Sequence, residues 1–411
     1  MTLKIKRKMI TMNLFILFSI NTSLNAQWTQ AENTINSGIA TLWNNGTNQF
    51  AGTSTGVYIS SNGRINWKQS NNGLLDGVSV YCYDQKGIYI FAGTSDGLFR
   101  SSDGGNSWID VSGAITIRLI QAFLVNGQQI FAGTRDGGLW LSTDDGANWK
   151  EYDYGLNNSA IESLCKIGEI MIAGTEWSGA FTSRDNGATW DNSSSGMPSK
   201  SVVHSLFVYG SSVFAGILNK GTYRSKDNGS SWSLLSNGLP ANVHASNFIS
   251  SGNYLFTATP SRVFVSADNG ESWRSTNAGL PPNTGVSSLC ISGNYMYAAV
   301  EIGSIFKRPL SELLTNIKSD IIVPNEYSLG QNYPNPFNPS TTIEYSIPKS
   351  ELVTIKIYDL LGKEITTLTN EEKSGGFYSI KFDGKYLPSG IYYYQIKAGY
   401  FTETKKLILL K

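Results

Sequence analysis

Short runs of alternating apolar and polar residues recur along most of the chain, with turn residues between them. The most regular run, "FAGT", occurs at 50–53, 91–94 and 131–134, and it varies to "IAGT", "FAGI", "FTAT" and "YAAV" from 172, 214, 256 and 297. An alternation of period two between Gly, Ser and Asn clusters is typical of β-strands. Because a shorter run with one large apolar residue follows each copy, we predict seven similar units of β-structure.

An octet that begins with serine and ends with tryptophan follows the second run in five of these units. Its copies are "SSDGGNSW" at 101–108, "STDDGANW" at 142–149, "SRDNGATW" at 183–190, "SKDNGSSW" at 225–232 and "SADNGESW" at 266–273, with a degenerate "SSNGRINW" at 60–67. The tryptophans therefore lie 41 or 42 residues apart. A period of this length fits one four-stranded propeller blade, so we predict an all-β, seven-bladed β-propeller.

The residue types of the octet suit a chain reversal. An aspartate bonds backbone N–H groups two residues on, a glycine adopts left-handed backbone without steric cost, and a tryptophan supplies apolar area for packing. We therefore predict that these residues are structural rather than catalytic. They are Asp103, Asp144, Asp185, Asp227, Asp268, Trp108, Trp149, Trp190, Trp232 and Trp273.

The seventh unit lacks an octet, because "KRPLSEL" follows Phe306. A donor for its missing outer strand lies at the other end of the chain, where "QWTQ" occupies 27–30. Trp28 precedes Trp67 by 39 residues, which is close to the repeat length. We predict that this strand closes the last blade beside residues 304–307, since closure removes exposed sheet edges.

The octets resemble the Asp-box (BNR) repeats of a large group of β-propellers. In sialidases the resemblance implies three arginines that grip one carboxylate, but the loop arginines Arg118, Arg135 and Arg262 belong to repeats three and six and are not expected to converge. In xyloglucanases it implies two propellers that face one another, whereas the repeats of this sequence predict a single propeller. We therefore predict a non-catalytic glycan- or protein-binding scaffold, with no catalytic residues, cofactor or metal. The alternative is a glycoside hydrolase that uses upper-face carboxylates, with Glu162, Glu176 and Glu301 as candidates.

Two groups of binding candidates lie on the face that carries the connections from second to third strands. The loops "TRDGG" at 134–138 and "TEWSG" at 175–179 supply the first group, and the starts of the first strands supply the second, with Tyr81 and Gln121 at matching positions. A tryptophan in a polar loop suits ligand binding, although packing against a neighbouring loop is an equal alternative for it. The candidates are Arg135, Asp136, Glu176, Trp177, Tyr154, Glu162 and His204.

Composition narrows the functional classes. Only 15% of the 411 residues are charged and the net charge is +1, which does not indicate nucleic-acid binding. The three cysteines, Cys82, Cys165 and Cys290, lie in apolar strand patterns, and we predict buried free thiols. With only His204 and His244 available as imidazoles, no spacing of metal ligands is evident.

The first 26 residues have the pattern of a secretory signal peptide. A basic segment at 4–8 precedes an apolar run at 10–20, and "SLNA" predicts cleavage after Ala26. We expect no transmembrane segment in the mature chain, because no later run is long and apolar enough. The predicted domains are thus the signal peptide at 1–26, the propeller at 27–308, a linker at 309–326 and a final domain at 327–411.

The final domain combines a proline-rich start with alternating strands, which predicts a small Ig-like antiparallel β-sandwich. Its motifs are "NYPNPFNP" at 332–339, "IYDLLGKEI" at 357–365, "LPSGIYYYQIKAG" at 387–399 and a basic, apolar terminus at 405–411. These motifs resemble the type A C-terminal sorting domain of the type IX secretion system. The resemblance implies a Bacteroidota-type source, recognition by the type IX machinery, and export to the cell surface or the medium.

Overall fold

A computed structural model describes residues 27–411 except 32–34, 36, 62–65, 117, 136, 157–158, 241, 283, 301–302, 314–325 and 374. The predicted signal peptide, most of the predicted linker and the candidates Asp136 and Glu301 lie outside the described residues. In the part of the chain that the structure describes, no helix has the length and apolar character needed to span a bilayer.

Residues 29–309 form short antiparallel strands. They are β1 Thr29–Gln30, β2 Ile39–Asn44, β3 Asn48–Thr53, β4 Gly56–Ser61, β5 Lys68–Gln69, β6 Val80–Lys86, β7 Tyr89–Thr94, β8 Gly97–Ser101, β9 Ile109–Asp110, β10 Ile120–Asn126, β11 Gln129–Thr134, β12 Leu139–Ser142, β13 Lys150–Glu151, β14 Ile161–Ile167, β15 Ile170–Thr175, β16 Gly179–Ser183, β17 Asp191–Asn192, β18 Val203–Tyr209, β19 Ser212–Ile217, β20 Gly221–Ser225, β21 Ser233–Leu234, β22 Asn247–Ser251, β23 Tyr254–Ala258, β24 Val263–Ser266, β25 Arg274–Ser275, β26 Val286–Ser292, β27 Tyr295–Val300 and β28 Ser304–Pro309. A helical turn at 310–313 follows.

These strands are arranged in four-stranded antiparallel sheets. The sheet orders are β2-β3-β4-β5, β6-β7-β8-β9, β10-β11-β12-β13, β14-β15-β16-β17, β18-β19-β20-β21, β22-β23-β24-β25 and β1-β28-β27-β26. The first strands contact one another in cyclic order, from β2 through β6, β10, β14, β18, β22 and β26 back to β2. The sheets therefore stand around a common centre, and the first strands line it.

The apolar core lies between adjacent sheets. Phe50 and Val57 of one sheet pack with Ile90, Phe99 and Trp108 of the next, and the same mixed composition recurs around the array. The second strands carry the "FAGT" runs, and they are buried on both faces because a sheet covers each side. The alternation in the sequence thus reflects packing between neighbours rather than one solvated face.

The strand β1 completes the last sheet from the other end of the chain. Thr29 pairs with Lys307 and Gln30 with Phe306. The preceding Trp28 is 2% exposed, and its indole Nε1 donates to the carbonyl of Thr276 at 2.7 Å. Residues near the two ends of the 29–309 segment are therefore held in one sheet.

The five octets share one hydrogen-bonded turn. In the first, Ser101 Oγ donates to Asp103 Oδ1 at 2.8 Å and accepts from the Gly105 N–H, while Asp103 also accepts from the N–H and hydroxyl of Ser107. The hydroxyl and N–H of Ser107 lower the pKa of the Asp103 carboxyl to about 2. Because Asp103 is ionised and bonded within its own turn, this carboxylate organises the chain reversal rather than a reaction.

A second contact places the octet tryptophans against the preceding sheet. The Trp108 N–H donates to the carbonyl of Asn72, and an added Cβ on the next residue, Gly73, would lie 1.9 Å from the Trp108 carbonyl oxygen. Trp28 repeats this contact, because its N–H donates to Ala278 and its carbonyl lies close to Gly279. Trp28 thus occupies, in the last sheet, the position that octet tryptophans occupy elsewhere.

The remaining strands form a separate unit with its own core. They are β29 Ser328–Leu329, β30 Ser340–Ile347, β31 Glu351–Tyr358, β32 Glu364–Lys373, β33 Gly376–Asp383, β34 Gly390–Ala398 and β35 Phe401–Leu409. They make two sheets, β29-β30-β33 and β32-β31-β34-β35, and one core contains Ile343 of the first with Ile355 and Tyr394 of the second. This unit also contacts the preceding sheets, where Ser211 Oγ donates to Glu344 at 3.2 Å.

Candidate functional site

An extra residue interrupts the pairing near the start of the first strand in six of the four-stranded sheets. In β14, for example, Ile161 pairs with Thr175 and Ser163 pairs with Gly174, so that Glu162 has no partner of its own. A bulge of this kind re-aims a side chain and is frequent next to functional sites. The bulged residues are Ala40, Tyr81, Gln121, Glu162, His204 and Ser287.

All six bulged residues line one cavity of about 240 Å³. Because they begin strands that stand around a common centre, the bulges direct them towards the same space. The sheet that starts with β22 has no such register shift and contributes Ser246 and Asn247. The lining consists of Ala40, Thr41, Tyr81, Gln121, Glu162, His204, Ser246, Asn247, Ser287 and Ser288.

Glu162 and His204 form the charged part of this lining. The Nδ1 atom of His204 lies 3.6 Å from Oε2 of Glu162, which is longer than a hydrogen bond. The Glu162 side chain is only 9% exposed, whereas that of His204 is 44% exposed. A carboxylate is thus largely removed from water with only an imidazole near it among the described residues, and such a group favours a positively charged or donating ligand.

Gln121 supplies a second acceptor from the adjacent sheet. Its Oε1 atom is buried and accepts no hydrogen bond from the described residues. Buried polar atoms without a partner are uncommon in native proteins, and one that lines a cavity is explained by a ligand or water. Gln121 and Glu162 therefore present acceptor oxygens to the same space.

The side chains on the opposite side of the cavity make hydrogen bonds to backbone groups of the first strands. Ser288 Oγ accepts from the N–H of Leu42 at 3.0 Å, and Asn247 Oδ1 accepts from the N–H of Leu289 at 2.9 Å. Ser287 Oγ donates to the carbonyl of Ile39 at 2.7 Å. These side chains tie neighbouring first strands together, so the groups available to a ligand are concentrated around Tyr81, Gln121, Glu162 and His204.

The other binding candidates lie outside this lining. Trp177 is 61% exposed in the turn between β15 and β16, and its φ of 70° is unusual for a bulky residue. Glu176 precedes it, and the Glu176 N–H donates to the carbonyl of Ala160, which places the turn beside the start of β14. Tyr154 is 78% exposed, and its carbonyl accepts from the N–H of Trp190.

The loop arginines Arg118, Arg135 and Arg262 do not belong to the described lining of the central cavity. Arg118 is paired with Asp96 and Asp110 at 2.8 and 2.6 Å, and Arg135 is exposed in the turn after β11. The cavity lining holds one carboxylate and no lysine or arginine among the described residues. Hydrolysis by paired carboxylates requires a second acid at 5–10 Å, roughly, and this lining does not supply it.

The cysteines are poor nucleophiles. All three are free; Cys165 and Cys290 are buried as predicted, whereas Cys82 is only partly buried. Desolvation raises the pKa of all three thiols to about 12. Each thiol is therefore protonated at neutral pH. The described residues contain no group of three or more His, Cys, Asp or Glu side chains that could hold a metal ion.

The cavity depends on features that sequence reasoning did not identify. The positions of Tyr81, Gln121, Glu162 and His204 can be matched by alignment of the repeats, but their shared direction results from the bulges. Ser246 and Asn247 were missed because their unit begins differently from the others. The glycines beside the octet tryptophans were also missed, although "NGL" at 72–74, 237–239 and "AGL" at 278–280 form a recurring signal.

Comparison with known proteins assigns the C-terminal part of the chain to a domain family. Residues 331–410 match the family of secretion system C-terminal sorting domains. No curated protein matches the chain.

Solved structures resemble the fold of this chain over much of its length. YCF48 from Cyanidioschyzon merolae is 12% identical, with 70% of this chain and 99% of that chain covered at a TM-score of 0.53. YCF48 bound to D1 peptide is 14% identical, with 69% and 97% covered at 0.54. PorZ of Porphyromonas gingivalis, an essential bacterial surface component of the type IX secretion system, is 15% identical, with 91% and 60% covered at 0.54.

At these identities the structures show similarity of fold alone, and they confirm an all-β, propeller-like arrangement. The family match confirms the sorting domain and, with it, the expectation of export to the cell surface or the medium. The protein is therefore a cargo of the type IX secretion system that carries a propeller-like fold ahead of its sorting tail.

Proposed function

We propose that the protein is an exported, non-catalytic scaffold that binds a glycan or a protein at the centre of a seven-bladed Asp-box propeller. In this proposal each of the seven four-stranded sheets built from β1 to β28 is one blade, and β1 closes the last of them. The two C-terminal sheets are an Ig-like sandwich that serves as the sorting signal. The ligand enters from the end of the array at which the first strands begin.

One observation is the main support for a binding function. Six sheets each direct a bulged residue into one central cavity, and this lining includes a largely buried carboxylate and an unpaired amide oxygen. Strand bulges cost regular pairing, so their repetition around one centre favours a shared purpose. Since the described lining holds a single carboxylate, binding accounts for it better than paired-acid hydrolysis does.

Two further observations support a ligand at this end of the array. Trp177 is a large, exposed aromatic side chain in a turn beside the start of β14, and aromatic side chains are common anchors for sugars and proteins. A structure of similar fold, YCF48, was solved with a bound peptide. A fold of this kind is therefore compatible with peptide recognition.

The test is binding of the full chain to glycan and peptide arrays, together with a hydrolysis assay on any glycan that binds. We expect binding without turnover, and loss of binding in Glu162→Gln or Trp177→Ala. Glu169→Gln is the matched control, because the Glu169 side chain is 88% exposed and pairs only with Lys166 at 3.4 Å among the described residues. Turnover that Glu162→Gln abolishes would instead establish a hydrolase.

Export has its own test in a host with a type IX system. The full chain should reach the cell surface or the medium, whereas a chain that ends at residue 308 should remain inside the outer membrane. Fractionation followed by immunoblotting distinguishes the two locations. Equal export of the shortened chain would contradict the proposed role of residues 327–411.

A further inference from the structure

We infer that the central cavity takes the ammonium group of a lysine side chain from a protein ligand. This inference rests on the proposed binding function and specifies the chemistry of its ligand. The cavity offers acceptor oxygens, a largely buried carboxylate and no lysine or arginine among its described lining residues. A cation that donates hydrogen bonds complements each of these properties.

The Glu162 carboxylate requires a counter-charge. Its side chain is 9% exposed, and the nearest basic group in the described chain is His204, at 3.6 Å. At that distance the pair makes no hydrogen bond, so the carboxylate keeps its acceptor positions. Removing an ionised carboxylate from water is costly unless a counter-charge with good hydrogen-bond geometry replaces the water. A bound ammonium group would supply that counter-charge.

The number of acceptors favours an ammonium group over a guanidinium group. Gln121 Oε1 is buried without a donor, and it lines the same cavity as Glu162 from the adjacent sheet. Tyr81, from the sheet β6-β7-β8-β9, also belongs to the lining. Three donors on one nitrogen match a small group of converging acceptors, whereas guanidinium presents five donors in a wider fork.

The remaining lining favours a lysine side chain over an amino sugar. Ser287, Ser288 and Asn247 already bond backbone groups of neighbouring strands, so they offer little to the hydroxyls of a sugar ring. A lysine stem is apolar and needs no such partners. A cavity of about 240 Å³ is also below the usual size of small-molecule sites, roughly 300–1,000 Å³, which suits one side chain.

The experiment measures binding of Nα-acetyl-lysine methylamide to the full chain by calorimetry. Nα-acetyl-norleucine methylamide, which has nearly the same shape without the charge, is the comparison ligand. Glucosamine tests whether an amino sugar supplies the ammonium group instead. We expect the lysine probe to bind at least tenfold more tightly than the norleucine probe and glucosamine. Glu162→Gln should remove this preference, and Glu169→Gln should retain it.

A second variant protects the test against a folding defect in Glu162→Gln. Gln121→Glu adds a carboxylate at the unpaired acceptor, and it should tighten binding of the lysine probe severalfold. Equal affinity for the lysine and norleucine probes would overturn the inference, as would wild-type affinity in Glu162→Gln. Tighter binding of glucosamine than of the lysine probe would assign the cavity to a glycan and would overturn the inference that a lysine side chain supplies the ammonium group.

The outcomes separate this inference from the proposed function. If an array ligand binds in a manner that depends on Glu162 while the lysine probe does not, the scaffold function stands and the inference is wrong. If neither the arrays nor the lysine probe shows binding, both are wrong. Preference for lysine-containing peptides on the array, lost in Glu162→Gln, supports both together.

Discussion

The imidazole rings of His204 and His244 meet edge to face, with centroids 5.7 Å apart and planes at 89°. They are the two histidines of the sequence; His204 lies in β18, and His244 lies in the connection between β21 and β22. His244 is 6% exposed, whereas His204 lines the central cavity beside Glu162. Burial, and secondarily the charge of His204, lowers the pKa of His244 to about 4.

The first prediction concerns stability in acid. His244 has an unfolded pKa near 6.5, so between about pH 6.5 and 4 the unfolded chain binds more protons than the folded chain. Its contribution to stability is complete above pH 6.5 and is lost as the pH falls to about 4, by roughly 3 kcal/mol at most. Urea unfolding at pH 7.0 and 4.5 measures this loss.

The matched variants for this prediction are His244→Gln and His204→Gln. His244→Gln should flatten the dependence of the unfolding free energy on pH, because it removes the buried titrating group. His204→Gln should leave most of that dependence in place. An unchanged pH slope in His244→Gln would show that other groups cause the acid sensitivity.

The second prediction concerns the backbone at Trp177. A non-glycine residue in the left-handed region costs on the order of 1–2 kcal/mol, and Trp177 has a φ of 70°. Trp177→Gly should therefore raise the unfolding free energy by about 1 kcal/mol while it weakens ligand binding. Trp177→Ala should weaken binding without this gain, because its Cβ remains. Thermal unfolding of both variants, combined with array binding, checks the expected separation of stability from function.

A third prediction compares buried and exposed octets. Asp268 is 4% exposed and accepts from the N–H and hydroxyl of Ser272, whereas Asp103 makes the same bonds in an exposed turn. Asp268→Ala leaves a buried N–H unpaired and should cost about 2–3 kcal/mol, against about 1 kcal/mol for Asp103→Ala. The midpoints of denaturant unfolding measure both changes. Loss of ligand binding in a folded Asp103→Ala protein would contradict the structural role of the octet.

A fourth prediction tests the close approach between neighbouring sheets. Gly238 has a φ of +82°, and an added Cβ would lie 1.7 Å from the Trp273 carbonyl oxygen. Gly238→Ala should therefore cost at least about 3 kcal/mol, because the two backbones must separate. Gly252→Ala is the control, since Gly252 has a φ of +56° and open space around it, and it should cost about 1 kcal/mol. Similar losses in the two variants would show that the Trp273 contact is unimportant.

The sequence predicts the parts of this fold that depend on local pattern. Period-two alternation and octets spaced by 41 or 42 residues indicate an all-β, propeller-like fold, and the motifs from "NYPNPFNP" onwards indicate the sorting domain. Each of these signals lies within a few neighbouring residues. Repetition strengthens these signals, because the same local motif occurs in several units of the chain.

The central cavity could be predicted only in part, because it depends on groups far apart in the sequence. Matching positions in the repeats select Glu162 and His204, but their 3.6 Å separation requires two bulges in adjacent sheets. The ring contact of His244 with His204 joins two different repeats, which no local pattern specifies. The positive φ of Trp177 also has no signal in "TEWSG", since glycine is the usual residue in that conformation.

The pairing of β1 with β28 has a consequence for how the chain folds. Thr29 and Lys307 are 278 residues apart in the sequence, so the sheet that contains them cannot form until nearly all of the intervening chain is present. Loop-closure entropy makes such a contact slow to establish, and contacts of long sequence separation slow folding in general. Until then β28 exposes an unpaired edge, which is a site for mispairing with other chains. Removing a few residues at the start of the described chain would thus turn a late step of folding into a route to aggregation.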